Sequence, residues 1–149
     1  VAFRREFALK LGATAAFDPV NDAVSEELAR RTNGAGIDVV IESSGNRGSI
    51  AATVNVAKRG GRVVFVGLPP DNEVPLNIDK IIDSELNLYG VFRYANTYAA
   101  AIQAYAQSGL DLREVVTHQF PLRDIEAALQ VARTQKDRAI KIMIYPEAE

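Results

Sequence analysis

Three short segments that could bind a ligand each follow a hydrophobic run of the sequence. The segments are Ser43, Ser44 and Gly45; Val66, Gly67 and Leu68; and Val91, Phe92, Arg93 and Tyr94. If the runs are parallel strands, their carboxyl ends lie side by side at one edge of a sheet, where open α/β folds bind ligands. The coincidence of three such segments predicts a single binding crevice.

Arg93 and Tyr94 carry the strongest polar chemistry of these segments. A guanidinium offers a fixed charge and five donors, and a phenol offers a hydroxyl on an apolar ring. A capped helix with two surface side chains explains the same pattern, because strand–helix junctions are routinely polar. Gly45 and Gly67 lack a Cβ, so a ligand could approach their backbone closely, although a simple turn also explains each glycine taken singly.

Other candidate groups carry less functional signal. The stretch 45–48 is only a G-x-x-G, and the phosphate-binding fingerprint G-x-G-x-x-G is absent. His118 has no carboxylate or serine nearby that suggests a triad, so a structural role is predicted. Asp38 and Glu42 flank one strand without a partner histidine and are discounted as a catalytic pair. Arg4 could reach a ribose or phosphate, or it could be a solvated helix arginine.

Helical stripes and β-branched runs alternate along the chain, which predicts an α/β fold with a doubly wound, largely parallel sheet. Asn21 and Asn46 are predicted helix N-caps, Gly60 and Gly61 a helix stop, and the last few residues are expected to fray. The apolar stripes of the predicted helices run over Phe3–Leu11, Val24–Leu28, Ile50–Ala57, Ile78–Ile82, Tyr98–Tyr105 and Leu122–Ala132, and the second helix carries Arg30 and Arg31 in its last turn. Strands are predicted at Ala13–Phe17, Ile37–Glu42, Arg62–Val66, Leu86–Phe92, Val115–Phe120 and Ile140–Tyr145.

Composition excludes several classes of protein. The 149 residues carry 17 basic and 19 acidic side chains without a block of like charge, which argues against nucleic acid or an anionic membrane as the main partner. The chain has no cysteine and one histidine, so it predicts no disulfide and no zinc site of its own. No apolar run approaches the roughly 20 residues of a membrane span, and no signal peptide is visible, so a cytoplasmic protein is expected.

A series of segments in a fixed order resembles the cofactor domain and C-terminal part of medium-chain zinc-dependent dehydrogenases. These are KLGATAAFDP, GIDVVIESSGN, AKRGGRVVFVGLPP, LNLYGVFRYANTY, VVTHQFPL and KIMIYP. GVFRYANTY followed by VTHQFPL resembles the sorbitol and xylitol dehydrogenase branch in particular. The resemblance implies NAD-dependent oxidation of a polyol secondary alcohol to a ketose.

The resemblance also implies residue roles. Arg4 matches an arginine on the adenosine side of the cofactor, and Arg93 with Tyr94 matches a pair that touches the polyol. The backbone segments 66–68 and 91–93 match those that lie against the nicotinamide half. Ser43, Ser44 and Gly45 complete the cofactor contacts that we expect.

The family's glycine-rich loop, ribose-binding acid and zinc ligands all precede the position that matches Val1. The chain is therefore expected to be the latter portion of a longer subunit, with no catalytic residue and no metal ligand of its own. Residues 1–110 would complete an NAD-binding Rossmann domain, and residues 111–149 would pack towards a catalytic domain that carries the zinc. The edge strand Leu86–Phe92 is expected to pair with a second copy in a homo-oligomer.

Two alternatives stay open on the sequence. One is a zinc-independent NADPH quinone or enoyl reductase of the same superfamily, against which the FRYANTY stretch speaks. The other is a non-catalytic nucleotide-binding or regulatory module, because one fold can host either role. An upstream carboxylate would decide the cofactor, because it binds the ribose 2′-hydroxyl and repels a 2′-phosphate. An upstream sequence without zinc-ligand spacing would favour the non-catalytic module.

Overall fold

The computed structural model describes residues 1–146. Backbone contacts divide the chain into two compact units, residues 23–98 and residues 1–22 with 99–149. The helices are α1 (Ala2–Lys10), α2 (Val24–Arg31), α3 (Arg47–Val56), α4 (Ile78–Asp83), α5 (Tyr98–Ser108) and α6 (Ile125–Thr134), with 3₁₀ turns at Leu112–Val115 and Leu122–Asp124. The strands are β1 (Ile37–Glu42), β2 (Ala57–Phe65), β3 (Asn87–Gly90), β4 (Val116–Pro121) and β5 (Lys141–Tyr145).

The unit 23–98 is built on a three-stranded parallel sheet in the order β1-β2-β3. Helix α3 packs on β1 and β2, and Val54 of the helix and Val63 of the sheet are fully buried. The register places Glu42 beside Phe65 and Phe65 beside Gly90. The last residues of the three strands thus form one row, and the chain leaves all three at the same edge.

The second unit contains a separate parallel pair, β4 and β5, with α6 packed against both strands. The Thr117 hydroxyl donates to the Lys141 carbonyl at 3.2 Å and accepts the Ile140 N–H at 3.0 Å, which ties the two strands at one end. Ala128 of α6 and Ala139 are buried in this unit.

The α/β class with parallel sheets is therefore confirmed. Five of the six predicted strands and all six predicted helices are present within residues 1–146, with ends that shift by a few residues. None of the helices in this part of the chain is long and apolar enough to cross a membrane. The predicted division at residue 110 stays a prediction.

Two predictions near the start of the chain are wrong. Residues 13–17 form no strand, because a strand needs a neighbour for its backbone groups and none of the described strands pairs with this segment. Asn21 does not cap α2, whose N-cap residue is Ala23 without a side-chain hydrogen bond. Asn21 instead donates to the Asp18 carboxylate at 3.2 Å, within a turn.

Two further boundaries also differ from the prediction. Gly60 and Gly61 do not end a helix, because α3 stops at Val56 and both glycines lie inside β2. Strand β3 is shorter than the predicted Leu86–Phe92, since its pairing with β2 ends where β2 itself ends at Phe65. The predicted fraying concerns the end of the chain, where residues 147–149 lie outside the described part.

The core between α3 and the sheet gives a direct stability test. Truncating Val54 to Ala removes buried methyl groups in a fully enclosed position, so we expect about 1–3 kcal/mol of lost stability in the natural protein that carries this sequence. Val20→Ala is the matched control, because Val20 is 86% exposed and should change the free energy of unfolding by less than about 0.5 kcal/mol. Urea unfolding curves measure both, and equal effects would contradict the assigned core.

Candidate functional site at the carboxyl ends of the parallel strands

The three candidate segments lie next to one another in the unit 23–98, at the ends of β1, β2 and β3. Beyond the strand row, the Val91 N–H donates to the Phe65 carbonyl at 2.9 Å, which joins the third segment to the second. The Val66 and Gly67 N–H groups donate to the Glu42 carbonyl at 2.8 and 3.1 Å, which joins the second segment to the first. The structure thus brings together the segments 43–45, 66–68 and 91–94, which we call the strand-end site.

Gly45 and Gly67 face each other across this site. A Cβ on Gly45 would fall on the Leu68 carbonyl, with its carbon only 2.8 Å away, and Gly45 also has a positive φ of 69°. A Cβ on Gly67 would lie 2.9 Å from the Gly45 Cα and 2.7 Å from a Glu42 carboxylate oxygen. The space that the missing Cβ atoms leave is therefore occupied by the protein's own backbone. A ligand's approach to these two glycines stays a prediction.

Glu42, the last residue of β1, connects the two glycine segments through hydrogen bonds. Its side chain is buried, with 3% of its surface exposed. Oε1 accepts the Ser44 N–H at 3.0 Å and the Ser44 hydroxyl at 2.5 Å, and Oε2 accepts the Gly45 N–H at 3.0 Å. Burial raises the pKa of Glu42, but the hydrogen bonds from Ser44 and Gly45 outweigh it and hold the pKa below its ordinary value.

Hydrogen bonds continue from Glu42 into the start of α3. The Ser44 hydroxyl oxygen accepts the Asn46 N–H at 3.1 Å. The Asn46 side chain accepts the N–H groups of Gly48 and Ser49 at 2.9 and 3.1 Å, so the predicted N-cap is confirmed. These amides are satisfied within the chain, and Arg47 beside them pairs with Asp71 at 2.5 Å. The G-x-x-G stretch is thus a helix cap.

Arg93 and Tyr94 stand at the exposed end of the third segment. Arg93 has a positive φ of 58°, an uncommon conformation for a residue with a side chain. The carbon of its guanidinium lies 4.9 Å from the centre of the Phe92 ring, within cation–π distance. The Tyr94 ring packs edge-on against Tyr98 with 5.5 Å between centroids. Each polar side chain therefore rests against an aromatic neighbour and keeps its donors exposed.

Two other candidates lie in the unit that contains β4 and β5. Arg4 donates to the Ala139 carbonyl at 2.9 Å, and its contact with a cofactor stays a prediction. A ring nitrogen of His118 lies 3.0 Å from the Thr117 hydroxyl, the group that ties β4 to β5, which agrees with the structural role expected of it. In residues 1–146 no group of three or more His, Cys, Asp or Glu side chains could hold a metal ion.

Sequence reasoning missed Glu42, which it weighed only as a possible partner of Asp38. The available signal was the spacing of an acid at the strand end with a serine two residues and a glycine three residues later. A carboxylate accepts hydrogen bonds without offering one, so it can bind the backbone N–H groups of a tight turn that follows it. Asp38 has an exposed side chain and pairs with Lys58.

A comparison with families of known proteins matches residues 1–107 to the family described as zinc-binding dehydrogenase. The chain belongs to this family. It is 38% identical over 143 residues to a sorbitol dehydrogenase of Bacillus subtilis (strain 168), an alignment that covers 96% of this chain and 40% of the relative. It is 34% identical over 149 residues to an L-threonine 3-dehydrogenase of Caldanaerobacter subterraneus subsp. tengcongensis, covering 97% of this chain and 42% of the relative.

A solved structure from Sinorhizobium meliloti 1021, described as a zinc-binding dehydrogenase bound to NADP, has a TM-score of 0.84 to this chain. The two are 27% identical, and the match covers 98% of this chain and 43% of the other. The resemblance to medium-chain dehydrogenases, including their sorbitol and xylitol branch, is thereby confirmed, as is the Rossmann-type fold. The chain spans about 40% of the length of the curated relatives.

The contact between the glycine segments predicts a difference between two otherwise similar substitutions. Gly67 and Gly90 both lie at strand ends without a left-handed φ, but a Cβ meets backbone only at Gly67. We expect Gly67→Ala to lower the free energy of unfolding by about 1–3 kcal/mol through overpacking, while Gly90→Ala is tolerated. Thermal unfolding of the two variants checks this, and similar melting temperatures would rule out the tight contact.

Acid should remove the stabilising contribution of Glu42. A carboxylate with a lowered folded-state pKa stabilises the fold above its ordinary pKa of about 4.3 and stops doing so as pH falls through the folded-state pKa. The stability difference between the natural protein and Glu42→Gln should therefore be largest near about pH 7 and shrink below about pH 4. Urea unfolding across this range measures it; a difference that stays constant would contradict the bonded carboxylate.

Proposed function

We propose that this chain supplies the nicotinamide-cofactor contacts and part of the substrate contacts of an NAD-dependent, zinc-dependent dehydrogenase that oxidises a polyol secondary alcohol to a ketose. The observation that carries the proposal is the strand-end site, where three strands in register deliver their following segments to one edge. Arg93 and Tyr94 expose donors beside it. Membership of the zinc-binding dehydrogenase family and the likeness to a sorbitol dehydrogenase support the same reaction.

The strand-end site fits the nicotinamide half of such a cofactor. Val66, Leu68, Val91 and Phe92 are all exposed at the strand ends, with Val66 and Val91 each close to half exposed. An apolar surface beside backbone groups suits a flat heteroaromatic amide, and the hydrogen-bonded segments keep it rigid. Bound NAD would accept the hydride, and the residues of this chain would hold and orient the nicotinamide ring.

The substrate contacts follow from the chemistry of Arg93 and Tyr94. A polyol presents several hydroxyl groups, each of which can accept a hydrogen bond from a guanidinium or a phenol. The Phe92 and Tyr98 rings limit the freedom of these two side chains, so less conformational entropy is lost on binding. Residues 1–146 contain no group of three or more His, Cys, Asp or Glu side chains that could hold a metal ion. The proposal therefore assigns activation of the alcohol to none of these residues.

A carboxylate on the ribose 2′-hydroxyl favours NAD over NADP, because it repels the 2′-phosphate. The solved structure from Sinorhizobium meliloti is bound to NADP, so the experiment tests both cofactors. The test is to titrate the natural protein with NADH and NADPH and then to assay sorbitol, xylitol and L-threonine. We expect tighter NADH binding and polyol oxidation. Oxidation of threonine alone, or oxidation with NADP⁺ alone, would contradict the proposal.

A homo-oligomer formed through the edge strand belongs to the same proposal. Strand β3 lies at one edge of the described sheet, and its residues Leu88 and Tyr89 are both substantially exposed. A second copy could satisfy the free edge, because edge strands pair readily with another chain.

Substitution of Arg93 should lower kcat/KM for the polyol more than substitution of Tyr94. Arg93→Ala removes charge-assisted hydrogen bonds, which should cost about 1.5–3 kcal/mol of transition-state binding. We therefore expect kcat/KM for the polyol to fall about 10- to 150-fold. Tyr94→Phe removes one neutral hydroxyl and keeps the ring against Tyr98, so its loss should be about 2- to 10-fold. Tyr105→Phe, on α5, is the matched control and should leave kcat/KM unchanged. Equal kinetics for all three variants would remove both residues from the site.

A further inference from the structure

We propose that Glu42 is a positioning residue for the cofactor, which holds the segment 43–45 against the segment 66–68 and so fixes the backbone surface on which the nicotinamide half lies. The inference rests on the proposed function of the strand-end site. It assigns a role to a buried carboxylate that neither the sequence motifs nor the proposed chemistry uses.

Glu42 bonds to both segments at once. Its carboxylate accepts three hydrogen bonds from Ser44 and Gly45, and its main-chain carbonyl accepts two from Val66 and Gly67. The side chain and the main chain of one residue therefore hold two loops that are far apart in sequence. Loss of the carboxylate would release 43–45 while the main-chain bonds to 66–68 remain.

The carboxylate has no cationic partner in the described part of the chain. The ion pairs of residues 1–146 do not include Glu42, so its charge is stabilised by N–H and O–H groups alone. A buried charge without a counter-ion costs desolvation free energy, which a neutral side chain at this position would avoid. The carboxylate suits this position because it is a pure acceptor facing donors of Ser44 and Gly45, a requirement that no neutral side chain of the same length meets.

Substitutions separate the acceptor role from simple packing. Glu42→Gln keeps length and volume but turns an NH₂ group towards at least one of the three donors. Glu42→Asp keeps the carboxylate and shortens the side chain by one methylene. If shape alone matters, Gln is the better replacement; if acceptor chemistry matters, Asp restores more function than Gln.

The experiment uses the natural protein that contains this chain, with Glu42→Gln, Glu42→Asp and the surface control Glu26→Gln on α2. Fluorescence titration with NADH, or with NADPH if the natural protein prefers it, gives the dissociation constant. Steady-state kinetics give KM and kcat for the polyol at saturating cofactor, and thermal unfolding gives folded integrity.

We expect Glu42→Gln to weaken cofactor binding about 5- to 150-fold, the range that follows from one buried donor left unsatisfied. Glu42→Asp should recover part of that loss, and Glu26→Gln should bind as the natural protein does. The polyol KM at saturating cofactor should change less than about twofold, because Arg93 and Tyr94 leave β3 on a segment that Glu42 does not touch. If Glu42→Gln does not fold, Glu42→Asp carries the test and should still bind cofactor more weakly than Glu26→Gln.

Two results overturn the inference in distinguishable ways. A folded Glu42→Gln, or a folded Glu42→Asp where Gln does not fold, with the natural cofactor affinity overturns the positioning role and leaves the proposed function intact. A natural protein that binds neither NADH nor NADPH overturns the proposed function, and the inference falls with it.

Discussion

The close approach of two backbone segments at the ends of β1 and β2 is the constraint on which the strand-end site depends. Neither Gly45 nor Gly67 has room for a Cβ, because a Cβ on either glycine would overlap the backbone of the other segment. Hydrogen bonds to Glu42 hold the segments at that distance, and the bond from Val91 to Phe65 places the third segment beside them. A surface built in this way is set by backbone geometry, which suits a binding site that must hold its ligand rigidly.

The side of the site to which we assign the substrate is held by side-chain packing. Arg93 and Tyr94 are exposed and rest on the aromatic rings of Phe92 and Tyr98, so packing directs them where no backbone hydrogen bond does. The left-handed conformation of Arg93 turns the chain sharply after the strand.

Much of the fold could be predicted from the sequence, because β-branched runs such as Ile37–Glu42 indicate strands and apolar stripes such as that of α6 indicate helices. The segment 13–17 reads equally well as a strand, yet a strand is defined by a neighbour, and the local sequence does not contain one. The three parts of the strand-end site were predictable from topology, since parallel strands end at one edge. The role of Glu42 could not be predicted, because it depends on the burial of the carboxylate and on the donors around it. The contact between Gly45 and Gly67 could not be predicted either, because it joins segments that are far apart in sequence.

The central claim is that the ends of β1, β2 and β3 form the surface that holds a nicotinamide cofactor. Hydrogen–deuterium exchange of the natural protein, measured with and without saturating NADH, tests it most directly. The account predicts slower amide exchange on binding in the segments 43–45, 66–68 and 91–93, with β4 and β5 much less affected. Protection confined to residues 116–145, or none in the three segments despite bound NADH, would contradict it.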